Sequence, residues 1–364
     1  MSALAEPIEA ISQRVDMFVS ARRQDVVDAG AEAARFVDAA ADAVTGGKRL
    51  RGRFCIAGWR AVEEASAPRG EASEPVLVAA AALEVFHAAA LVHDDLIDNS
   101  DTRRGRPSTH RALAQSHRAA GWIGDADDFG RSAAILVGDL LVAWSDDLLE
   151  DGLAGTSPDR AAAARREYGL MRREVTLGQF LDIAEESAFA TESDDRHAQR
   201  ALRVASYKSA RYSVQQPLAI GAALAGADAA QAAALAAFGH PLGMAFQLRD
   251  DVLGVFGDES ATGKPSGDDL REGKRTVLIA YAREALAPSA RRILDESIGD
   301  PSLTAEQIGS LQQTIVDTGA LGRVEQLIAQ YAHEADGALS GARLGDAAVA
   351  ALRDLARAAT VRTT

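Results

Sequence analysis

Apolar residues recur three and four positions apart along almost all of the chain, the spacing that lines one face of an α-helix. The pattern predicts long helices over Val76 to Asp98, Arg131 to Asp151, Asp159 to Glu186, Arg196 to Leu224 and Ala229 to Phe256. Pro75 stands just ahead of the first, a residue suited to a helix start because the missing N–H has no partner there anyway. Valine and isoleucine are scattered through these segments and do not alternate with polar residues, so no sheet is expected. From about Arg275 the pattern continues in shorter amphipathic stretches, punctuated by Pro288, Gly299 and Pro301. No tandem repeat and no Pro/Ser-rich linker divides the chain, which predicts one all-helical domain over residues 1–364.

Two polar segments interrupt the helical pattern. One runs from Asn99 to His110 (NSDTRRGRPSTH), and the other from Gly257 to Thr276 (GDESATGKPSGDDLREGKRT), loosened by Gly257, Gly263, Gly267 and Gly273. Each follows a helix that carries paired aspartates near its end.

Composition narrows the picture. At 47% hydrophobic and 25% charged residues the chain has ample apolar surface for a core and is not a disordered tail. About a fifth of it is alanine and there are only 10 prolines, which favours long helices. The net charge of −14 argues against a general affinity for nucleic acid or anionic lipid, so an anionic substrate would need local cationic clusters. Cys55 is the only cysteine, which excludes an internal disulfide framework and cysteine-based zinc sites. No apolar run approaches the roughly 20 residues of a membrane span. The start, MSALAEPIEAISQRVDMF, carries acids where a signal peptide carries bases. The expected location is a reducing cytoplasm.

The first acidic motif closes the segment HAAALVHDDLIDNS. Asp94 and Asp98 lie four apart on one helix face with Asp95 beside them, and the same face reaches back seven residues to His87. Three carboxylates within one turn raise each other's pKa unless a cation is present, and a helix C-terminus disfavours anions further. Such a cluster suits oxygen coordination of hard divalent cations, which also hold waters and substrate phosphates. Taken alone, it is as well read as a solvated acidic helix end. The second motif lies in GMAFQLRDDVLGVFGD, where Asp250 and Asp251 pair and Gln247 precedes them by one turn on the same side. Apolar neighbours point to a largely buried helix, and burial of unpaired carboxylates is costly enough to favour an inward, metal-compensated site.

Basic residues stand where anionic phosphates would need them. Arg103 and Arg104 follow the first motif, Lys264 and Lys274 follow the second, and GGKRLR is read as placing Lys48 and Arg51 on one helix face. Each cluster alone reads as an ordinary solvated patch. Two acidic motifs, each followed by a basic loop, together fit magnesium-bridged binding of a diphosphate by a helical bundle.

The chain resembles the trans-isoprenyl diphosphate synthases, or polyprenyl synthetases, over nearly its whole length. The matching stretches are GGKRLR, ALEVFHAAALVHDDLIDNSDTRRGRPSTH, GDLL, GQFLD, YKSARYS, FQLRDDVLG and GKPSGDDLREGKRT, in the family's order and spacing. The resemblance implies the isoprenoid synthase fold, a bundle of long helices around a central cavity, and a homodimer. It implies condensation of isopentenyl diphosphate with an allylic diphosphate to a linear all-trans product. It also implies three Mg2+ ions held between Asp94, Asp95 and Asp98 on one side and Asp250 and Asp251 on the other. By the same match, Arg103, Lys208, Ser209, Gln247, Lys264 and Lys274 contact or flank the allylic diphosphate, whereas Lys48, Arg51, His87 and Arg104 bind isopentenyl diphosphate. Gln179 and Asp182 align with a GQ..D stretch near the metals. A lone histidine on an apolar helix reads more readily as a satisfied core residue, and it is the position of His87 on the Asp94 face, seven residues back, that favours the functional reading.

The mechanism implied is ionisation. Cations stabilise the departing diphosphate, an allylic cation forms in a dry apolar cavity, and the isopentenyl double bond attacks it. One position departs from the family: the second motif would usually read DDxxD, and its fifth residue is Gly254. The nearest later aspartates are Asp258, Asp268 and Asp269, of which Asp258 shares the face of Asp250 if the helix extends so far. Product length is expected to depend on Ala89 and Ala90, five and four residues before Asp94, where bulky aromatics in the family stop the product at farnesyl or geranylgeranyl length. Two alanines leave the way open, so geranylgeranyl or longer products are expected, with Trp144 a candidate for a deeper floor. The competing readings are a terpene cyclase of the same fold and a non-catalytic subunit of a heteromeric synthase. A cyclase would carry a hydroxyl ligand where Gly254 stands, and a non-catalytic subunit would have lost its acidic motifs.

Overall fold

The computed structural model describes residues 5–66, 71–257 and 266–360. Ten helices run through the first two of these stretches: α1 (Ala5–Asp25), α2 (Ala31–Ala43), α3 (Leu50–Glu63), α4 (Glu74–Ile97), α5 (Thr109–Ala119), α6 (Ala126–Leu153), α7 (Pro158–Ala188), α8 (His197–Val204), α9 (Gln216–Ala225) and α10 (Ala229–Phe256). Six more follow: α11 (Asp268–Glu272), α12 (Val277–Ala285), α13 (Pro288–Ser297), α14 (Ala305–Asp317), α15 (Ala320–Ala338) and α16 (Asp346–Thr360).

Local sequence sets several of the boundaries. The Asp125 side chain accepts hydrogen bonds from the Asp127 and Asp128 amides and opens α6. Asp228 and Gln231 form a reciprocal capping box that starts α10 at Ala229, the position predicted from the sequence. Pro75 lies inside the first turn of α4 rather than ahead of it.

Four expectations are corrected. The helix predicted from Arg196 to Leu224 is three pieces, because Ala205–Gln215 widens into a π-helix between α8 and α9. The loop Asn99–His110 holds a two-stranded antiparallel ladder, β1 (Thr102–Arg103) with β2 (Arg106–Pro107), which pairs Thr102 with Pro107 and Arg103 with Arg106. Two-residue strands are too short to show any alternation. Lys48 does not share a helix face with Arg51: α3 begins only at Leu50, after Arg49 in a left-handed conformation (φ 48°), so Lys48 lies in the preceding loop. Finally, α4 is by length and composition long and apolar enough to cross a membrane, but 67% of its most apolar window is buried inside the bundle, as in a core helix.

That helix is the centre of the fold. α4 packs along α6 and also against α3 and α1. Its run Ala79 to Leu83 is wholly shielded, within a cluster that includes Phe86, Leu141, Trp144, Tyr168, Met171 and Tyr212. Small side chains let neighbouring helices come close, which explains why an alanine-rich stretch serves as a core. A second cluster gathers α10, α12, α14 and α15 around Leu248, Val252, Leu278 and Ile315. The two acidic helix ends, on α4 and α10, belong to different clusters and meet across the π-helical segment and α11.

Candidate active site

Asp94 and Asp98 face inward from the last turn of α4, towards α7 and the π-helical segment. Gln179 Nε2 donates to Asp94 Oδ1 at 3.0 Å. Lys208 Nζ lies 3.3 Å from the same oxygen and 2.5 Å from Asp182 Oδ2. Gln179 and Asp182 sit on α7 just after Gly178, where the helix touches the π-helical backbone so closely that a Cβ would stand 2.6 Å from Lys208 Cα. A glycine is therefore needed for α7 to bring Gln179 and Asp182 up to the Lys208 ammonium. Ser209 is half-buried beside it.

On the far side, Lys274 bridges to the second motif. Its Nζ stands 2.5 Å from Glu272 Oε2, 3.5 Å from Asp269 Oδ1 and 4.0 Å from Asp98 Oδ2. Gln247 Nε2 donates to Asp251 Oδ1 at 2.6 Å, as expected of residues one turn apart on α10. Lys264 and Asp258 lie outside the described residues, and α10 ends at Phe256.

Asp95 turns away from this group. It is 3% exposed and accepts from both Arg103 Nε and Nη2. Arg103 also reaches to 3.9 Å of Asp94 Oδ2 and so closes the site on the hairpin side. Beyond it, a cavity of about 400 Å3 opens between α2, α4 and α5, with Asp95, Arg103, Arg104 and Arg106 in its wall.

Protonation follows the crowding. Burial and then Asp94 push the Asp98 carboxyl up to about 6. Asp251 rises to about 8 through burial and then Asp269, and Glu186 to about 7 through burial and then Asp182 and Asp98. Burial also raises Asp94, but Lys208, Lys274 and Arg103 outweigh it and leave that carboxyl below its ordinary value. Lys208 and Lys274 are both held protonated: burial opposes their charge, and the surrounding carboxylates overcome it. Asp94, Asp98, Asp182, Glu186, Asp250, Asp251, Asp269 and Glu272 thus crowd around Arg103, Lys208 and Lys274. Among the described residues, no three acidic, histidine or cysteine side chains converge on one point as a ready-made metal cage. The donors are carboxylate and amide oxygens with excess negative charge, the set that suits a hard divalent cation sharing its coordination with water and phosphate.

A second polar cluster with a cationic member lies one turn further along the π-helical segment. Arg51 Nη2 donates to Ser213 Oγ at 2.8 Å, and its guanidinium sits 4.3 Å from the centre of the Tyr212 ring. The Tyr212 hydroxyl is 3.3 Å from His87 Nδ1. Burial, followed by Arg51, Arg104 and Arg103, lowers the His87 pKa well below the usual imidazole value, so this histidine is neutral at pH 7. Lys48 is exposed at the rim. Arg104 turns towards Thr45, donating to its carbonyl at 2.9 Å. Sequence reading missed Tyr212, Ser213 and the buried Glu84, which accepts from the Gly52 amide at 2.9 Å and anchors α3 on α4. An acid with no acidic neighbour in an apolar run carries no motif, and only the fold shows what it holds.

The sequence profile of polyprenyl synthetase matches residues 34–315. The chain belongs to the polyprenyl synthetase family. A geranylfarnesyl diphosphate synthase of Aeropyrum pernix is 31% identical over 296 residues, which is 81% of this chain and 83% of that protein. A (2E,6E)-farnesyl diphosphate synthase of Mycobacterium bovis is 31% identical over 282 residues, covering 76% and 71%. Among solved structures, a geranylgeranyl pyrophosphate synthase from Corynebacterium glutamicum, complexed with isoprenyl diphosphate and magnesium, covers 100% of both chains at 40% identity with a TM-score of 0.92. The all-α isoprenoid synthase fold of this polyprenyl synthetase is therefore the one expected from its sequence.

Proposed function

We propose that this polyprenyl synthetase condenses isopentenyl diphosphate with an allylic diphosphate to give a linear all-trans prenyl diphosphate of geranylgeranyl length or longer. Residues 1–364 are read as one catalytic domain that works in the cytoplasm. The observation that carries the reading is that two distinct clusters with cationic side chains, Lys208 in one and Arg51 in the other, are built from successive turns of one π-helical segment, and only the first meets the two acidic helix ends. A terpene cyclase needs the acidic pocket alone, and the Arg51–Tyr212–His87 cluster would have no ligand in it.

Asp94, Asp98, Asp250 and Asp251 are the proposed holders of Mg2+, three ions per site; Asp95, expected among them from the sequence, is instead taken up by Arg103 and fixes that guanidinium beside the site. When bound, Mg2+ supplies positive charge to the diphosphate oxygens that grow negative as the allylic C–O bond breaks. Lys208, Arg103, Gln247, Ser209, Lys264 and Lys274 hold the allylic diphosphate in place. Lys48, Arg51 and Arg104 take the diphosphate of isopentenyl diphosphate. His87, being neutral, contributes an N–H and no charge: with Nδ1 accepting from the Tyr212 hydroxyl, Nε2–H is left for a phosphate oxygen. The electron pair of the broken bond leaves with diphosphate. The isopentenyl double bond then forms the new C–C bond at the allylic carbon, and its surplus proton passes to the departed diphosphate. No protein nucleophile is involved.

The test is to mix purified protein with Mg2+, isopentenyl diphosphate and geranyl diphosphate and to chromatograph the dephosphorylated products. Linear alcohols longer than the starter support the proposal. Cyclic hydrocarbons would identify a cyclase, and no turnover would point to a non-catalytic subunit.

The two pockets should separate kinetically. Loss of a charged hydrogen bond to diphosphate costs about 1.5–3 kcal/mol. Arg51→Ala and His87→Ala are therefore expected to raise the KM for isopentenyl diphosphate about 10- to 100-fold, and Lys208→Ala to raise that of the allylic substrate. Steady-state kinetics with each substrate varied in turn would reject the assignment if Arg51→Ala moved only the allylic KM.

A homodimer is part of the proposal. Ile123, Ile135 and Leu136, on and beside α6, are 97%, 51% and 58% exposed in the single chain, an apolar surface suited to a second copy. Sedimentation should report a particle of twice the chain mass.

A further inference from the structure

The second acidic motif stops one residue short. Gly254 stands one turn beyond Asp250 on α10, where the family's pattern places a third aspartate. The volume that such a side chain would fill is already taken. A Cβ built on Gly254 would lie 2.8 Å from Asp269 Oδ1 and closer still to its Oδ2 and Cγ. The carboxyl of Asp269, carried on the first turn of α11, therefore occupies the place from which a residue 254 side chain would project. Its Oδ1 stands 3.5 Å from Lys274 Nζ, and that ammonium in turn is 4.0 Å from Asp98 Oδ2 of the first motif. Asp269 is thus not on the outer surface of α11 but on the line that joins the two acidic helix ends. Of the later aspartates, Asp269 is thus brought against α10 at Gly254.

We propose that Asp269 supplies the carboxylate that Gly254 lacks, so that the second motif of this chain is Asp250, Asp251 and Asp269, assembled from a helix and the following turn. The proposal rests on the reading of Asp94, Asp98 and Asp250 as holders of a divalent cation. Glycine at 254 is the condition for the arrangement, because any side chain there meets the Asp269 carboxyl before it meets anything else. The two positions are alternatives for one volume, and an aspartate at 254 would not complete the motif but displace the acid already in it.

The experiment reads metal binding directly, by electron paramagnetic resonance titration of Mn2+ into the full-length protein with inorganic diphosphate present. Asp94→Ala is the control for the underlying reading. Asp269→Asn keeps the size of the side chain beside Gly254 and removes its charge. It is expected to weaken Mn2+ binding about tenfold or more, the usual scale for an acid that supports a metal site. Gly254→Asp should also weaken it, although on paper it restores the family pattern. The double variant Gly254→Asp with Asp269→Gly returns one carboxylate to the same volume and should bind Mn2+ to within about threefold of wild type.

If Asp94→Ala weakens Mn2+ binding and Asp269→Asn leaves it unchanged, the inference is wrong and Asp269 serves only to pair with Lys274. Tighter binding by Gly254→Asp would overturn it equally. If Asp94→Ala itself binds Mn2+ like wild type, the site reading fails instead. Should Gly254→Asp not fold, as judged by circular dichroism, Asp269→Asn alone decides.

Discussion

Asp94→Ala is expected to lower kcat about a thousandfold or more while leaving the fold intact. The size of the loss follows from removing one of the carboxylates proposed to hold the Mg2+ that would neutralise the leaving diphosphate. The survival of the fold follows from the neighbours. Lys208 retains Asp182 at 2.5 Å when Asp94 is gone, so no buried ammonium is orphaned. Gln179 loses one acceptor at 3.0 Å, at a cost of about 1 kcal/mol. Asp98→Ala should be equally inactive and slightly more stable without metal, because the Asp98 carboxyl is pushed up to about 6 by burial and by Asp94. Single-turnover rates at limiting Mg2+, with thermal melts alongside, would refute the metal assignment if either variant kept a rate within tenfold of wild type.

Product length gives the second large effect. Ala90 lies one turn before Asp94 on the same face of α4, and Phe86 one turn before that, at about 1.5 Å of rise per residue. Phe86 is buried and meets the rings of Tyr168 and Tyr212 edge-on, with centroids 6.3 and 5.9 Å away. On the proposed reading, a chain growing down this face of α4 from the reacting carbon would pass the small Ala90 and meet an aromatic cluster about 12 Å down. Trp144 packs instead against Phe18 of α1, with centroids 5.9 Å apart. Of the two alanines, Ala90 is half-buried, whereas Ala89 is closed at 1% exposure. Ala90→Phe should shorten the product by one or more isoprene units, and Phe86→Ala should lengthen it. Ala89→Phe should mainly overpack the core, at about 1–3 kcal/mol of stability. Unchanged chromatograms for both Ala90→Phe and Phe86→Ala would show that the chain takes another route.

The parts of the fold legible in the sequence are those dictated by periodicity and local capping. Helix α10 starts where Asp228 caps it and stops at the glycine that follows Phe256, and both signals are local. The acidic motifs were legible because several like charges on one face have few structural reasons to be there. The π-helical segment was not, since widening a turn changes no residue's polarity, and the close approach of α7 to it at Gly178 is a tertiary contact that leaves no local mark. Lys48 was misplaced because the break marked by Gly46 and Gly47 runs on through the left-handed Arg49, a residue type that gives no sign of it. Asp269 was only one of three candidates, because sequence distance from Asp250 says nothing about how α11 folds back onto α10.

On the proposed reading, the π-helical segment would link the two substrate sites thermodynamically. Lys208 belongs to one pocket, while Tyr212 and Ser213, a turn later on the same stretch of backbone, belong to the other. A ligand that drew Lys208 from Asp182 would act on the same stretch of backbone that carries the Tyr212 and Ser213 contacts of His87 and Arg51. Such linkage is reciprocal: whatever one substrate does to the affinity of the other, the other does in return by the same factor. Ordered addition would then reflect a shared strip of main chain, with the first diphosphate to arrive setting the shape of the seat for the second.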